Sequence, residues 1–191
     1  MIAPEATRPA AIVPRDDDYI YPLFRALSQT VIEGYWIDYS RPGVLEESTP
    51  LLAGQTVYAD HHFWNVEKWL GVVNESSWDA DGLNSDGVAG INVELKIDAL
   101  LNPRIARGLL MQPPAIHSAS VTVLFEYEYS HPDLIEEGRF WDLLGEEVGG
   151  ELVRLIATKI VSYWELSLVF QGADRGAKQL PPRAGGSGAD Q

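Results

Sequence analysis

The chain holds four histidines, His61, His62, His117 and His131, and no cysteine. Without a thiol, a nucleophile for acyl transfer has to be a hydroxyl, and a hydroxyl needs a base beside it. Neutral imidazole, with a pKa near 6.5, suits that task at physiological pH. Two stretches carry those residue types. In "QTVYADHHFWNV" a strand-like run feeds Asp60, His61 and His62. In "IHSASVTVLFEYEYS" Ser118 and Ser120 share a strand face by period two, and Thr122, Leu124, Glu126 and Glu128 continue it. Adjacent strand residues point opposite ways, so only one of His61 and His62 can meet a given serine. The bland alternative is two small polar residues on a wet strand face. A zinc site from Asp60, His61 and His62 with His117 or His131 matches no spacing such as His-Glu-x-x-His. No metal and no cofactor is expected.

These residues need a frame, and most of the chain reads as strand. "YIYPLFRALSQTVIEGYWIDYS" predicts two strands interrupted by Pro22, and "KWLGVVNESSWDADG" a strand running into an Asp-Gly turn. "VAGINVELKID" alternates with Ala89, Ile91, Val93, Leu95 and Ile97 on one face, a half-buried strand. In "NPRIARGLL" Asn102 is placed to cap a helix that Pro103 begins. "SASVTVLFEYEYS" is the longest strand candidate, with Ala119, Val121, Val123, Phe125 and Tyr127 on its core face. "RFWDLLGEEVGGELVRLIATKI" has helical spacing, weakened by Gly149 and Gly150, and "SYWELSLVF" closes the domain as a strand. The fold class expected is mainly β with flanking helices (α+β), a closed barrel. Residues 17–180 form the domain, 1–16 a flexible arm, and 181–191, rich in Pro, Gly and Ser, a flexible tail or linker.

With 191 residues the chain has room for one core, and its 46% hydrophobic and 22% charged residues are ordinary for a globular protein. No apolar run approaches the roughly 20 residues that cross a bilayer, so no membrane partner is expected. A formal net charge of -14 weighs against nucleic acid, whose phosphates call for clustered Lys and Arg.

Three blocks together resemble the capsid-maturation (prohead) serine proteases of tailed bacteriophages, relatives of the herpesvirus assembly proteases. They are "TVYADHHFWNVEKWLGVV", then "INVELKID" through "NPRIARGLL" to "IHSASV", then "YWELSLVFQGADRGA", and the resemblance covers about residues 25 to 178. The resemblance implies a barrel of the herpesvirus-protease type. It also implies a catalytic His61, a nucleophilic Ser120 placed before Val121, and a third member Glu165 on the closing strand. His62, Ser118 and His131 stand as alternatives, with Glu126 and Glu128 as fallback acids. The oxyanion region is assigned to Arg104, Arg107 and residues 111–115. Two departures are visible: a longer link from His61 to Gly71, and Thr122 where a Gly often follows the serine–hydrophobe pair. The implied activity is an endopeptidase cutting scaffold and major capsid protein, and itself, inside the immature capsid (prohead) in the host cytoplasm, as a homodimer or higher oligomer. The rival readings are an inactive capsid-assembly or scaffold-interacting protein on the same fold, and an unrelated small-molecule barrel with Trp64, Trp69 and Trp78 lining a pocket.

Overall fold

In the computed structural model, residues 16–83 and 87–181 are described; the expected arm and tail lie outside them apart from Asp16 and Pro181. The elements in chain order are β1 (Tyr19–Ile20), β2 (Leu23–Ser28), β3 (Val31–Ile32), β4 (Ile37–Asp38), α1 (Val44–Ser48), β5 (Thr56–Ala59), β6 (Trp69–Asp79), β7 (Gly90–Asp98), α2 (Pro103–Leu110), β8 (Ser118–Tyr129), α3 (Pro132–Glu136), β9 (Glu147–Val148), β10 (Glu151–Leu152) and β11 (Leu155–Val169). The class is mainly β with few helices (α+β). Among the described residues no helix is long and apolar enough to cross a membrane.

One sheet carries the domain, in the order β1-β7-β6-β5-β11-β4-β3, with β2 also on β7 and β8 also on β11. The period-two pattern of β7 decides its place. Ile91, Val93, Leu95 and Ile97 are buried in the main core while Asn92, Glu94 and Lys96 lie half-buried. Strand β11 pairs antiparallel with β8 along its length and parallel with β5 and β4. Three register shifts interrupt the β8–β11 ladder, and β2–β7, β5–β6 and β6–β7 carry one each. Each such irregularity adds bend and right-handed twist, so the sheet coils strongly. Residues 177–180 then lie between its outer strands. Arg25 and Leu180 donate backbone bonds to Lys178 and Leu23, and Ala119 and Gln179 donate to Ala177 and His117. The strap thus ties β2 to the start of β8.

Several local expectations are corrected. The stretch 139–160 is no helix: Gly149 and Gly150, both at positive φ, form the two-residue loop of the β9–β10 hairpin, and β11 begins at Leu155. A Gly-Gly pair supplies what a type I′ hairpin turn demands, which outweighs helical spacing of Leu and Val. Residues 19–40 make four short strands instead of two, since Pro22 separates β1 from β2 and a turn with Gly34 and Trp36 at positive φ separates β3 from β4. β11 with 15 residues, not β8 with 12, is the longest strand. Helix α2 starts on Pro103 as read, but Asn102 makes no side-chain cap bond; its Nδ2 donates to the Asp98 carbonyl. Short α1 and α3 had no periodic signal long enough to detect.

Candidate active site

Strand β5 ends at Ala59, and the chain reverses over Ala59–His62, closed by a bond from the His62 N–H to the Ala59 carbonyl (3.1 Å). Asp60 and His61 sit at φ 50° and 58°. Left-handed backbone is uncommon for residues with a Cβ, and each such residue stores about 1–3 kcal/mol that its surroundings must hold. The surroundings are β11. The Asp60 N–H bonds the Leu168 carbonyl (3.1 Å), and the His61 N–H bonds Ser167 Oγ (3.0 Å). Strand alternation therefore does not govern the two histidines; a turn does. It sends His61 over β11, whereas His62 Nδ1 donates to the Ala59 carbonyl (3.0 Å) and its ring leans on exposed Trp64.

Beneath His61 lies Glu165, whose side chain is fully buried. Three donors converge on its carboxylate: His61 Nδ1–H on Oε1 (2.8 Å), the Thr122 hydroxyl on Oε1 (2.5 Å) and the Ser167 hydroxyl on Oε2 (2.6 Å). The ladder explains the convergence. Glu165 is opposite Thr122 and Ser167 is opposite Ser120, so four polar side chains from two strands form one patch. Burial pushes the Glu165 carboxyl up. The bonds from His61, Ser167 and Thr122 outweigh it and hold the group below the usual carboxylate range. In turn the hydrogen bond to Glu165 raises the His61 pKa above its ordinary value against partial burial, with the charges of Glu165 and Asp60 adding to it. An ionised carboxylate accepts only, so Nδ1 carries the proton and Nε2 is the basic nitrogen.

His61, Ser120 and Thr122 line one cleft of about 380 Å³, whose other walls include Tyr35, Tyr39, Val123 and Phe125. Ser120 is half-buried, and among the described residues its hydroxyl makes no hydrogen bond, to His61 or to any other group. Bonds of this kind are often long before a substrate arrives. Ala173 and Asp174 complete the cleft from the loop after β11. That loop is pinned: Asp174 accepts from the backbone N–H of Ser28 (2.6 Å) and of Gly176 (2.7 Å). A side chain at residue 172 would run into the Ala119 carbonyl, so only Gly172 fits there.

The other candidates are elsewhere. Ser118 is wholly buried and accepts a bond from Lys178 Nζ (2.7 Å), so it fastens the strap and offers no surface to a substrate. His131 lies beyond the far end of β8, eleven positions along the chain from Ser120, held by Ser130 Oγ and the Val148 carbonyl. Glu126 and Glu128 are exposed, and Glu128 pairs with Arg41 (3.0 Å); neither meets His61. Arg104, Arg107 and residues 111–115 do not line the cleft, nor do Trp64, Trp69 or Trp78. Among the described residues no three His, Asp or Glu side chains gather as metal ligands. Sequence reasoning missed Thr122 and Ser167 as partners of Glu165. Period two was the available signal: Thr122 follows Ser120, and Ser167 follows Glu165, at the same-face interval.

Neither a family model, nor a curated protein, nor a solved structure matches this chain.

Proposed function

We propose that the chain is a serine endopeptidase of the prohead-maturation type. The observation that carries this reading is the pair His61–Glu165, a buried carboxylate bonded to Nδ1 of an imidazole on a strained turn, in one cleft with the unbonded hydroxyl of Ser120. The pair supplies what acyl transfer needs. Ser120 Oγ attacks a scissile carbonyl while its proton passes to His61 Nε2, and the resulting imidazolium is stabilised by Glu165. His61 then returns the proton to the leaving amine, and water repeats the cycle on the acyl-enzyme. On this reading a backbone N–H of the Ala173 loop serves the oxyanion, replacing the assignment to Arg104, Arg107 and residues 111–115.

An extended peptide suits the cleft. β8 pairs on one side with β11, and beyond its contact with residues 177–180 no strand among the described residues pairs with its other edge, which faces the cleft. Val121, Val123 and Phe125 offer apolar surface for a substrate side chain. The fold proposed is the closed barrel of the herpesvirus-protease type, supported by the strap of residues 177–180 that joins β2 to β8. The proposed substrates are scaffold and major capsid protein and the chain itself, cut within the prohead in the host cytoplasm, with the enzyme acting as a homodimer or larger assembly.

The second reading, an inactive assembly protein on this fold, is favoured by the absence of a hydrogen bond from Ser120 to His61, beside the longer His61–Gly71 link and Thr122 where a Gly often stands. Co-expression with scaffold and capsid protein separates the two. Wild-type chain should cut them and the folded Ser120→Ala chain should not; uncut substrates with both chains leave the assembly reading standing.

A further inference from the structure

Glu165 is shared. A buried carboxylate bonded to imidazole alone would put its whole charge on that imidazole, drawing a proton onto it. Here Thr122 binds the same oxygen that His61 uses, with Thr122 Oγ1 only 3.4 Å from His61 Nδ1, and Ser167 binds the other. Ser167 does more: its oxygen also receives the His61 backbone N–H, so one hydroxyl grips both the acid and the turn bearing the base.

We propose that Thr122 and Ser167 are positioning residues that divide the charge of Glu165 and thereby limit how strongly it pulls a proton onto His61. The assignment rests on His61 being the catalytic base, because only a base that is neutral at working pH can accept the Ser120 proton. Each hydroxyl donates to the ionised carboxylate and weakens it as an acceptor for the imidazolium. The other titratable groups around His61 are Asp60 and His62 on its own turn, Asp174 of the loop after β11, and Tyr35 and Tyr39 across the cleft. None of the substitutions below alters them.

The test is the titration midpoint of His61, followed by NMR of its ring carbon-bound protons in the full chain, where only four histidines need assignment. Thr122→Val keeps the shape and removes the hydroxyl, and should raise the midpoint by roughly half to one pH unit. Thr122→Ser should restore it. Ser167→Ala should raise it as well and also speed hydrogen exchange at the His61 amide. Loosened packing alone would separate His61 from Glu165 and lower the midpoint toward about 6.5. An unchanged or lowered midpoint in both hydroxyl-deleted chains overturns the proposal. Labelling of Ser120 by a fluorophosphonate, measured on the same samples against pH, reports the protease reading separately. If the midpoint rises while no serine labels, the charge division holds and the catalytic assignment fails.

Discussion

Replacing Glu165 by Gln preserves the shape of a fully buried side chain and removes its charge. The magnitude follows from what that charge does when His61 becomes an imidazolium. Two unit charges about 4 Å apart at an effective dielectric constant of about 20 attract by about 4 kcal/mol. His61 is 37% exposed at its side chain, so solvent screens part of this. A working figure of about 2–3 kcal/mol corresponds to a loss of about 30- to 150-fold in the rate at which Ser120 is activated. The substrate sequence is not needed to measure it. On the proposed mechanism a fluorophosphonate reacts with the activated serine, and its second-order labelling rate reports proton removal by His61. With its oxygen toward His61 Nδ1–H the amide keeps the tautomer and the loss is electrostatic; with its NH2 there the tautomer reverses and the loss grows to about 10⁴-fold. Glu165→Ala should lose more, and destabilise the fold by about 3–5 kcal/mol, because Thr122, Ser167 and His61 are left without their acceptor. Equal labelling rates in wild-type and Glu165→Gln chains would refute the argument, since no buried carboxylate paired with the base could be so idle.

Stability against pH follows from the same pair. The lowered Glu165 pKa gives a contribution present above its unfolded value near 4.3 and lost as acid protonates the folded group; the raised His61 pKa gives one present below about 6.5 and lost as pH climbs through the folded value. Thermal unfolding should therefore show a maximum between about pH 4.5 and 6.5, and Glu165→Gln should flatten both flanks. Ser118→Ala should leave labelling at Ser120 within about twofold, while lowering stability by about 1–3 kcal/mol through the unpaired Lys178 ammonium, read by urea denaturation. Gly150→Val, at φ 84° in the β9–β10 loop, should cost about 1–2 kcal/mol in the same assay, whereas a helix there would gain from losing a glycine.

Much of this arrangement was legible in the chain, and the reasons differ by element. β7 was readable because its alternation is the burial pattern itself, and α2 because Pro103 fixes where a helix begins. Residues 139–160 misled because Leu, Val and Ile spacing admits either period over short runs, and the two glycines settle it through φ, which composition does not display. At the site, the residue types, the strand positions of Ser120 and Glu165, and the strand face of Ser120 were visible. The register that sets Thr122 against Glu165 was not, because three shifts in the β8–β11 ladder displace any count made from the strand ends. His61 and His62 look like strand neighbours in the sequence for a related reason. The turn at Asp60 depends on bonds from β11, a partner more than a hundred residues away.

The proposed mechanism makes Ser120 a nucleophile served by His61. It is tested most directly by reacting the purified chain with a fluorophosphonate and locating the adduct by peptide mass spectrometry. One adduct is expected, on Ser120, absent from the Ser120→Ala and His61→Ala chains although both remain folded by circular dichroism. An adduct on another residue, or one on Ser120 that forms as fast without His61, would contradict it.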